Sequence, residues 1–183
     1  SIGYNKPIAK IHVQQEYIMW YAILGAVLLA GDQILKYWVV THLAVGESAP
    51  FLPGFMQLTR LHNYGAAWSS LSGRTVLLVV FTAVLLAAVA LLLIKKVVRH
   101  WTGITACTLI LSGGIGNIID RIVHGYVVDM FDLQLFSYPV FNLADCCVVV
   151  GAILGGIYYL FLYEKYDKKK KEPDHAHDPS DPS

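Results

Sequence analysis

The feature that most constrains the fold of this chain is a run without one charged residue, Thr75–Ile94. At a rise of about 1.5 Å per residue, a helix of this length crosses the ~30 Å hydrocarbon core of a bilayer. Weaker apolar runs cover residues 17–40, 101–123 and 142–163. The sequence therefore predicts a mainly α, integral membrane protein built as a four-transmembrane-helix bundle.

The composition of the 183-residue chain agrees with this class, since 56% of the residues are hydrophobic and only 15% are charged. A soluble domain carries roughly 25% charged residues. The formal net charge of +1 does not point to a nucleic-acid partner. We expect one domain, 17–163. A polar segment, 1–16, precedes it and is extended or lies on the membrane surface, and a charged, proline-rich cytoplasmic tail, 164–183, follows it and is disordered.

Lysine and arginine residues select the orientation of the bundle. Basic residues precede the first span, separate the second span from the third, and follow the fourth, whereas loops 41–74 and 124–141 carry few. The positive-inside rule then places both termini in the cytoplasm and these two loops outside. Asp32, Asp120 and Asp145 consequently lie at the outer ends of their spans, so their depths agree.

The two outer loops differ in their predicted structure. The first is long for a plain connector, and its alternation of apolar and polar residues predicts a short strand, Phe55–Leu61. In the second, the apolar spacing over His124–Tyr138 favours a short interfacial helix or a re-entrant segment, which Pro139 ends.

Carboxylates are the most frequent polar groups that can reach a site at the outer ends of the spans. The sequence has no histidine pair at the spacing of a zinc site, and the serines that could pair with Lys36 lie on a loop. Two carboxylates a few Å apart cannot both ionise, so one keeps a proton that it can donate while the other accepts a proton from water. The candidate carboxylates are Asp32, Asp120, Asp129, Asp132 and Asp145, and the candidate serines are Ser69, Ser70 and Ser72.

The choice among these carboxylates stays open on chemistry alone. Asp32 has a lysine four residues on, so the two side chains can pair on one helix face. Asp120 has Arg121 beside it and Asn117 one turn before it, which suits it to holding a helix end. Asp129 and Asp145 have no cationic neighbour within four residues, and this favours them weakly over other pairings.

Other interpretations compete with a catalytic site. An aspartate at a helix start, such as Asp145, is often only a cap, and Asn117 and Asn142 can be caps or interhelical contacts. A small proton-coupled transporter would use the carboxylates as a proton relay, although it would need acidic residues near the midplane and the second span has none. A structural subunit with polar helix contacts is a third interpretation.

Five short motifs, taken together, resemble those of one family, lipoprotein signal peptidase (signal peptidase II), over residues 19–163. They have the forms D-Q-x-x-K, N-x-G-A-A, G-G-x-x-G-N-x-x-D-R, V-V-D and F-N-x-A-D. Trp68 stands where the family usually has Phe, a departure that does not touch the chemistry. The motifs begin at Asp32, Asn63, Gly113, Val127 and Phe141.

The resemblance implies an aspartyl endopeptidase of the bacterial inner membrane, with its site toward the periplasmic face. It removes the signal peptide from prolipoproteins by cutting before a cysteine that carries diacylglycerol, and Asp129 and Asp145 are its catalytic pair. The resemblance also implies a small extracytoplasmic β-domain, a periplasmic lid helix over His124–Phe136, and inhibition by globomycin-type cyclic peptides. No metal or other cofactor is expected, membrane lipids surround the protein, and the simplest assembly is a monomer. The implied supporting or substrate-binding residues are Asp32, Lys36, Asn63, Gly65, Asn117, Asp120, Arg121 and Asn142.

Overall fold

A computed structural model of the chain describes residues 6–65 and 74–168. Within these residues, four helices are long and apolar enough to cross a membrane. The mainly helical, four-span prediction is therefore confirmed. The candidate spans are Met19–His42, Thr75–Ile94, Trp101–His124 and Leu143–Tyr166.

Five helices carry these spans, and a π-helical turn, Tyr158–Leu162, lies inside the last span. The helices are α1 (Lys6–His42), α2 (Thr75–Ile94), α3 (Trp101–His124), α4 (Leu143–Ile157) and α5 (Tyr163–Tyr166).

Helix α1 begins well before the membrane. The expectation of an extended start is wrong from Lys6 onward, because this stretch is continuous with the first span. Pro7 is compatible with that start, since a helix does not need the N–H groups of its first turn. Likewise, the tail that we expected to be disordered is helical as far as Tyr166, and residues 169–183 lie outside the described part.

Helix α3 is the centre of the bundle and packs against α1, α2 and α4. Glycines on its buried face allow this close approach. An added Cβ at Gly113 would overlap the carbonyl oxygen of Ala144, and one at Gly116 would lie 2.8 Å from Asp32 Oδ2. The start of α4 and the polar part of α1 therefore lie directly against the α3 backbone.

Outside the helices, three antiparallel strands form one sheet in the order β1 (Ser48–Leu52), β2 (Met56–Asn63) and β3 (Val127–Leu133). The small β-domain implied by the resemblance is present. The strand predicted over Phe55–Leu61 corresponds to β2, which continues to Asn63. Leu58 pairs with Phe131 and Leu61 pairs with Asp129, so β2 holds one extra residue between these pairs, as in a β-bulge.

The prediction of a helix over His124–Phe136 is wrong, because its central part is strand β3. A short apolar run is compatible with the periodicity of a helix and with that of a strand, and here pairing with β2 makes it a strand. Val128 and Met130 alternate onto one face of the strand, where they pack with Val39 and Leu43 of α1. Asp129 lies between them in sequence and points to the other face.

Close packing at Gly113 gives a test of the bundle. Gly113→Ala places a methyl group against the α4 backbone, and we expect a loss of roughly 1–3 kcal/mol of stability from overpacking. The matched control is Gly156→Ala, where no described atom beyond those of the adjacent residues and the backbone of its own helix lies within 4 Å of the added Cβ. Thermal unfolding in detergent should show a lower Tm for the first variant and an equal or higher Tm for the second. Equal melting of both would contradict this account of the α3–α4 contact.

Candidate active site

The C-terminal halves of α1 and α3 and the start of α4 meet β2 and β3 in one hydrogen-bonded network, which we call the polar cluster. It contains every residue that the sequence singled out as catalytic or supporting. The members that the sequence singled out are Asp32, Lys36, Asn63, Gly65, Asn117, Asp120, Arg121, Asp129, Asn142 and Asp145.

Lys36 is the buried cation of the cluster. Its Nζ lies 2.8 Å from Asp32 Oδ2 and 3.0 Å from Asp120 Oδ2. All three residues are at most 3% exposed. The expected pairing of Asp32 with Lys36 is confirmed. The partner that we expected for Asp120 is wrong, because its cation is Lys36 and not the adjacent Arg121, whose guanidinium donates to the carbonyl oxygens of Gly65 and Asn117.

Lys36, Asp32 and Asp120 form a buried ion triad, and its two carboxylates also accept hydrogen bonds from backbone N–H groups. Asp32 Oδ1 accepts from the Ala144 N–H at 2.9 Å, and Asp120 Oδ2 accepts from the Val128 N–H at 3.0 Å. Ala144 precedes Asp145, and Val128 precedes Asp129. The triad thus fixes the chain directly before each of the two remaining carboxylates.

Gln33 is a member of the network that the sequence reasoning missed. Its Nε2 lies 3.2 Å from both Asp32 Oδ2 and Asp120 Oδ1, so it bridges α1 and α3. The available signal was its place in the D-Q-x-x-K motif. Helical spacing gives no further signal, because adjacent residues of a helix do not face each other.

Asp129 is 1% exposed, and two asparagines donate to its carboxylate. Asn142 Nδ2 lies 2.7 Å from its Oδ1, and Asn63 Nδ2 lies 2.9 Å from its Oδ2. Burial, and next the nearby charge of Asp145, raise the pKa of Asp129 to about 7 in spite of these hydrogen bonds. The Asp129 carboxyl can therefore hold its proton near neutral pH.

Asp145 has two roles in the structure. Asn142 caps α4 by accepting from the Asp145 N–H, and Asp145 Oδ2 accepts in return from the Asn142 N–H at 3.2 Å, which forms a capping box. The interpretation of Asn142 as a cap is therefore confirmed, whereas Asp145 is the N3 partner of that cap and not the cap itself. Its other oxygen accepts from Asn117 Nδ2 at 2.8 Å, so the same carboxylate also belongs to the polar cluster.

The three asparagines are oriented because a fixed donor binds each amide oxygen. The Gly65 N–H donates to Asn63 Oδ1 at 2.9 Å, and the Asp145 N–H donates to Asn142 Oδ1 at 2.8 Å. Lys36 Nζ lies 3.1 Å from Asn117 Oδ1. Each NH₂ group must then face Asp129 or Asp145. The sequence reasoning had grouped Asn117 with Asp120, whereas its NH₂ group donates to Asp145.

Asp129 and Asp145 differ from the other two carboxylates of the cluster in that no described cation contacts them directly. Among the described side chains, every ion pair of the cluster is made by Lys36, and none reaches either of them. Asn142 joins the two directly, since its side-chain N–H binds Asp129 and its backbone N–H binds Asp145. The charge of Asp145 raises the pKa of Asp129, so the pair favours a state with one proton.

Some candidates do not reach this site. Asp132 accepts from Gln57 Nε2 at 2.7 Å and from Thr59 Oγ1 at 3.1 Å, and it is bound within the sheet. No group of three or more His, Cys, Asp or Glu side chains is placed to hold a metal ion within residues 6–65 and 74–168. The candidate serines Ser69, Ser70 and Ser72, together with Ala66, Ala67 and Trp68, lie outside the described residues.

Comparison with known proteins gives the same match in sequence and in structure. The family model described as "Signal peptidase (SPase) II" matches residues 24–161. The lipoprotein signal peptidase of Enterococcus faecalis is 41% identical over 151 residues, which cover 82% of this chain and 93% of the relative. That of Clostridium acetobutylicum is 37% identical over 150 residues, covering 80% and 97%. A solved bacterial membrane enzyme, determined in meso at 2.3 Å resolution, superposes with a TM-score of 0.74 at 34% identity, covering 85% of this chain and 95% of that one.

The buried triad yields a stability prediction. Lys36→Met leaves two carboxylates without their cation, and removing one partner of a buried ion pair costs about 3–5 kcal/mol. The control, Lys95→Met, changes an exposed lysine and should stay within about 0.5 kcal/mol of the original protein. Unfolding in detergent measures both variants, and a Lys36→Met protein as stable as the control would contradict the central role of Lys36.

Proposed function

The chain belongs to the signal peptidase II family, a family of multi-pass membrane proteases that process the signal peptides of prolipoproteins, and on this premise we propose that it is an aspartyl endopeptidase. Asp129 and Asp145 are the catalytic pair. The observation that carries the proposal is their shared asparagine, with one N–H of Asn142 on each carboxylate.

The pair acts in its singly protonated state. The charged carboxylate takes a proton from a water molecule, whose oxygen attacks the carbonyl carbon of the scissile amide. The protonated carboxyl donates its proton to the carbonyl oxygen. When the tetrahedral intermediate collapses, the amide C–N bond breaks and the nitrogen receives the proton that the first carboxylate took from water. The other carboxylate regains its proton from a hydroxyl group of the intermediate, which becomes the C=O of the new acid group.

Asp129 is the better candidate for the initial proton donor. Its pKa of about 7 leaves roughly half of the Asp129 carboxyls protonated in neutral solution, and burial is the main cause of that pKa. Asn63 and Asn142 hold both of its oxygens in place, so the carboxyl does not have to reorient between the two steps.

The depth of the site suits a substrate that is anchored by lipid. Asp32, Lys36 and Asp120 lie in the second halves of membrane-spanning helices, and the sheet carrying Asp129 packs against the end of α1. A cysteine that carries diacylglycerol would keep its acyl chains in the bilayer while the scissile bond before it meets the pair. We place the protein in the bacterial inner membrane, with both termini cytoplasmic and the site toward the periplasmic face. Globomycin-type peptides are then expected inhibitors.

Substituting the catalytic pair tests this assignment. Asp129→Asn and Asp145→Asn should each lower cleavage by roughly 10²–10⁴-fold, because general acid–base catalysis contributes about that factor. The assay uses purified protein, a synthetic peptide with a diacylglyceryl-cysteine, and mass spectrometry to locate the cut bond. A transporter or a structural subunit would release no peptide, and a chelator should leave the cleavage rate unchanged.

The matched control is Asp132→Asn, which removes a carboxylate of the same strand whose partners lie outside the polar cluster. It should keep its activity. At pH 8 the Asp129→Asn protein should melt no lower than the original protein, because a carboxyl whose pKa is raised from 3.8 to about 7 on folding costs stability progressively between these two pH values, and at pH 8 that cost is complete. Normal cleavage by either Asn variant of the pair would refute the assignment.

The pH profile tests the protonated form of Asp129. Activity should fall as the pH rises through about 7, where the pair loses its last proton. The Asn63 hydrogen bond favours the charged carboxylate, so Asn63→Ala should raise the pKa of Asp129 and move the alkaline limb to higher pH. Gln57→Ala, which removes a donor to Asp132 in the same sheet, should leave the limb in place. A limb that moves to lower pH in Asn63→Ala would contradict the assigned proton donor.

A further inference from the structure

The end of the bundle opposite the polar cluster contains a second buried carboxylate site, around Asp167. This residue is 6% exposed and follows α5 directly. Its Oδ2 accepts from the backbone N–H groups of Arg99 and His100, both at 3.0 Å, and lies 2.5 Å from the Tyr158 hydroxyl. Arg99 Nε lies 3.3 Å from its other oxygen. None of these groups takes part in the polar cluster.

Asp167 joins two segments that are distant in sequence. One is the turn between α2 and α3, and the other is the end of the last helix, 68 residues later. Below the carboxylate, Val98 of the turn packs with Tyr158 and Cys107, and Leu162 and Tyr163 border the same apolar core. A hydrogen-bonded carboxylate above an apolar contact fixes the two segments side by side.

The joined segments carry cations that point outward. Glu164 forms an ion pair with Lys168, while Asp167 is turned into the protein, so the outer surface is mainly positive. We call this surface the basic platform. Its exposed cations are Lys95, Lys96 and Arg99 from the turn and Lys165 and Lys168 from the end of the chain's last helix.

The basic platform lies at the depth of lipid headgroups. Its residues come within a few positions of Ile94, Trp101 and Tyr166, where the apolar spans end or begin. Trp101 is 66% exposed and Tyr166 is 49% exposed, as is typical of aromatic side chains at a membrane–water interface.

From this arrangement we propose that the basic platform binds the phosphate of an anionic lipid headgroup, and that Asp167 assembles the site by holding its two halves together. Lysine and arginine side chains near the surface attract anionic lipids. Such a site differs from unspecific attraction between basic residues and anionic lipids, because its affinity depends on the relative position of the two segments as well as on net charge. The proposal is independent of the peptidase mechanism.

The test compares melting temperatures in nanodiscs of phosphatidylcholine with and without phosphatidylglycerol. The original protein should gain several degrees from phosphatidylglycerol. The double variant Lys95→Gln with Lys96→Gln should lose at least half of that gain. Arg74→Gln, which removes an exposed positive charge at the opposite end of the bundle, should keep it. An undiminished gain in the double variant would overturn the proposal.

Asp167→Asn distinguishes the basic platform from general attraction to anionic lipids, because the two predict opposite changes in the melting-temperature gain from phosphatidylglycerol. The variant makes the protein more positive, so general attraction would enlarge the gain from phosphatidylglycerol. The basic platform predicts a smaller gain, since the turn and the helix end are no longer held together. If this variant does not fold, Tyr158→Phe removes the hydroxyl that donates to Asp167 without changing the net charge, so general attraction predicts an unchanged gain and the basic platform predicts a smaller one. A larger gain in Asp167→Asn would refute the role given to Asp167.

Discussion

The ion triad of Lys36 with Asp32 and Asp120 is the interaction on which the rest of the site depends. Charged groups inside a membrane protein are costly unless they are paired and hydrogen-bonded. Here every oxygen of the two carboxylates has a donor, and two of these donors are the backbone N–H groups of Ala144 and Val128. The hydrogen bonds that compensate the buried charges therefore also connect α1 to the start of α4 and α3 to strand β3.

Next to this triad, the side-chain amides of asparagines, and no directly contacting cations among the described residues, donate hydrogen bonds to Asp129 and Asp145. An arginine or lysine against Asp129 or Asp145 would keep both carboxylates ionised, and the pair could then hold no proton. Asparagine donates to a carboxylate without adding a charge. Lys36 contacts Asn117 and neither carboxylate of the pair, so its ammonium group orients the amide and stays one side chain away from Asp145.

Much of the fold could be predicted from the sequence, because apolar runs and their basic flanks are local signals. The spans were identified to within a few residues, and the resemblance selected residues that all meet in one cluster. Strand β3 could not be identified in this way, since its structure depends on pairing with a strand about 70 residues earlier. The same holds for the partners of Asn117 and Asp120, because the nearest cation in sequence, Arg121, is not the nearest in space. The cap formed by Asn142 was visible in sequence, but its second contact, with Asp129, was not.

The bulge in β2 determines which single-residue deletions and insertions this strand can tolerate. Strand side chains alternate between two faces, so the extra residue between Leu58 and Leu61 decides which face every later residue of β2 presents. Deleting one residue there would leave the composition and the spans intact but would turn Asn63 away from Asp129. A single-codon deletion far from either aspartate in sequence would then act as an active-site lesion, whereas a compensating insertion before Asn63 would restore the parity of the strand.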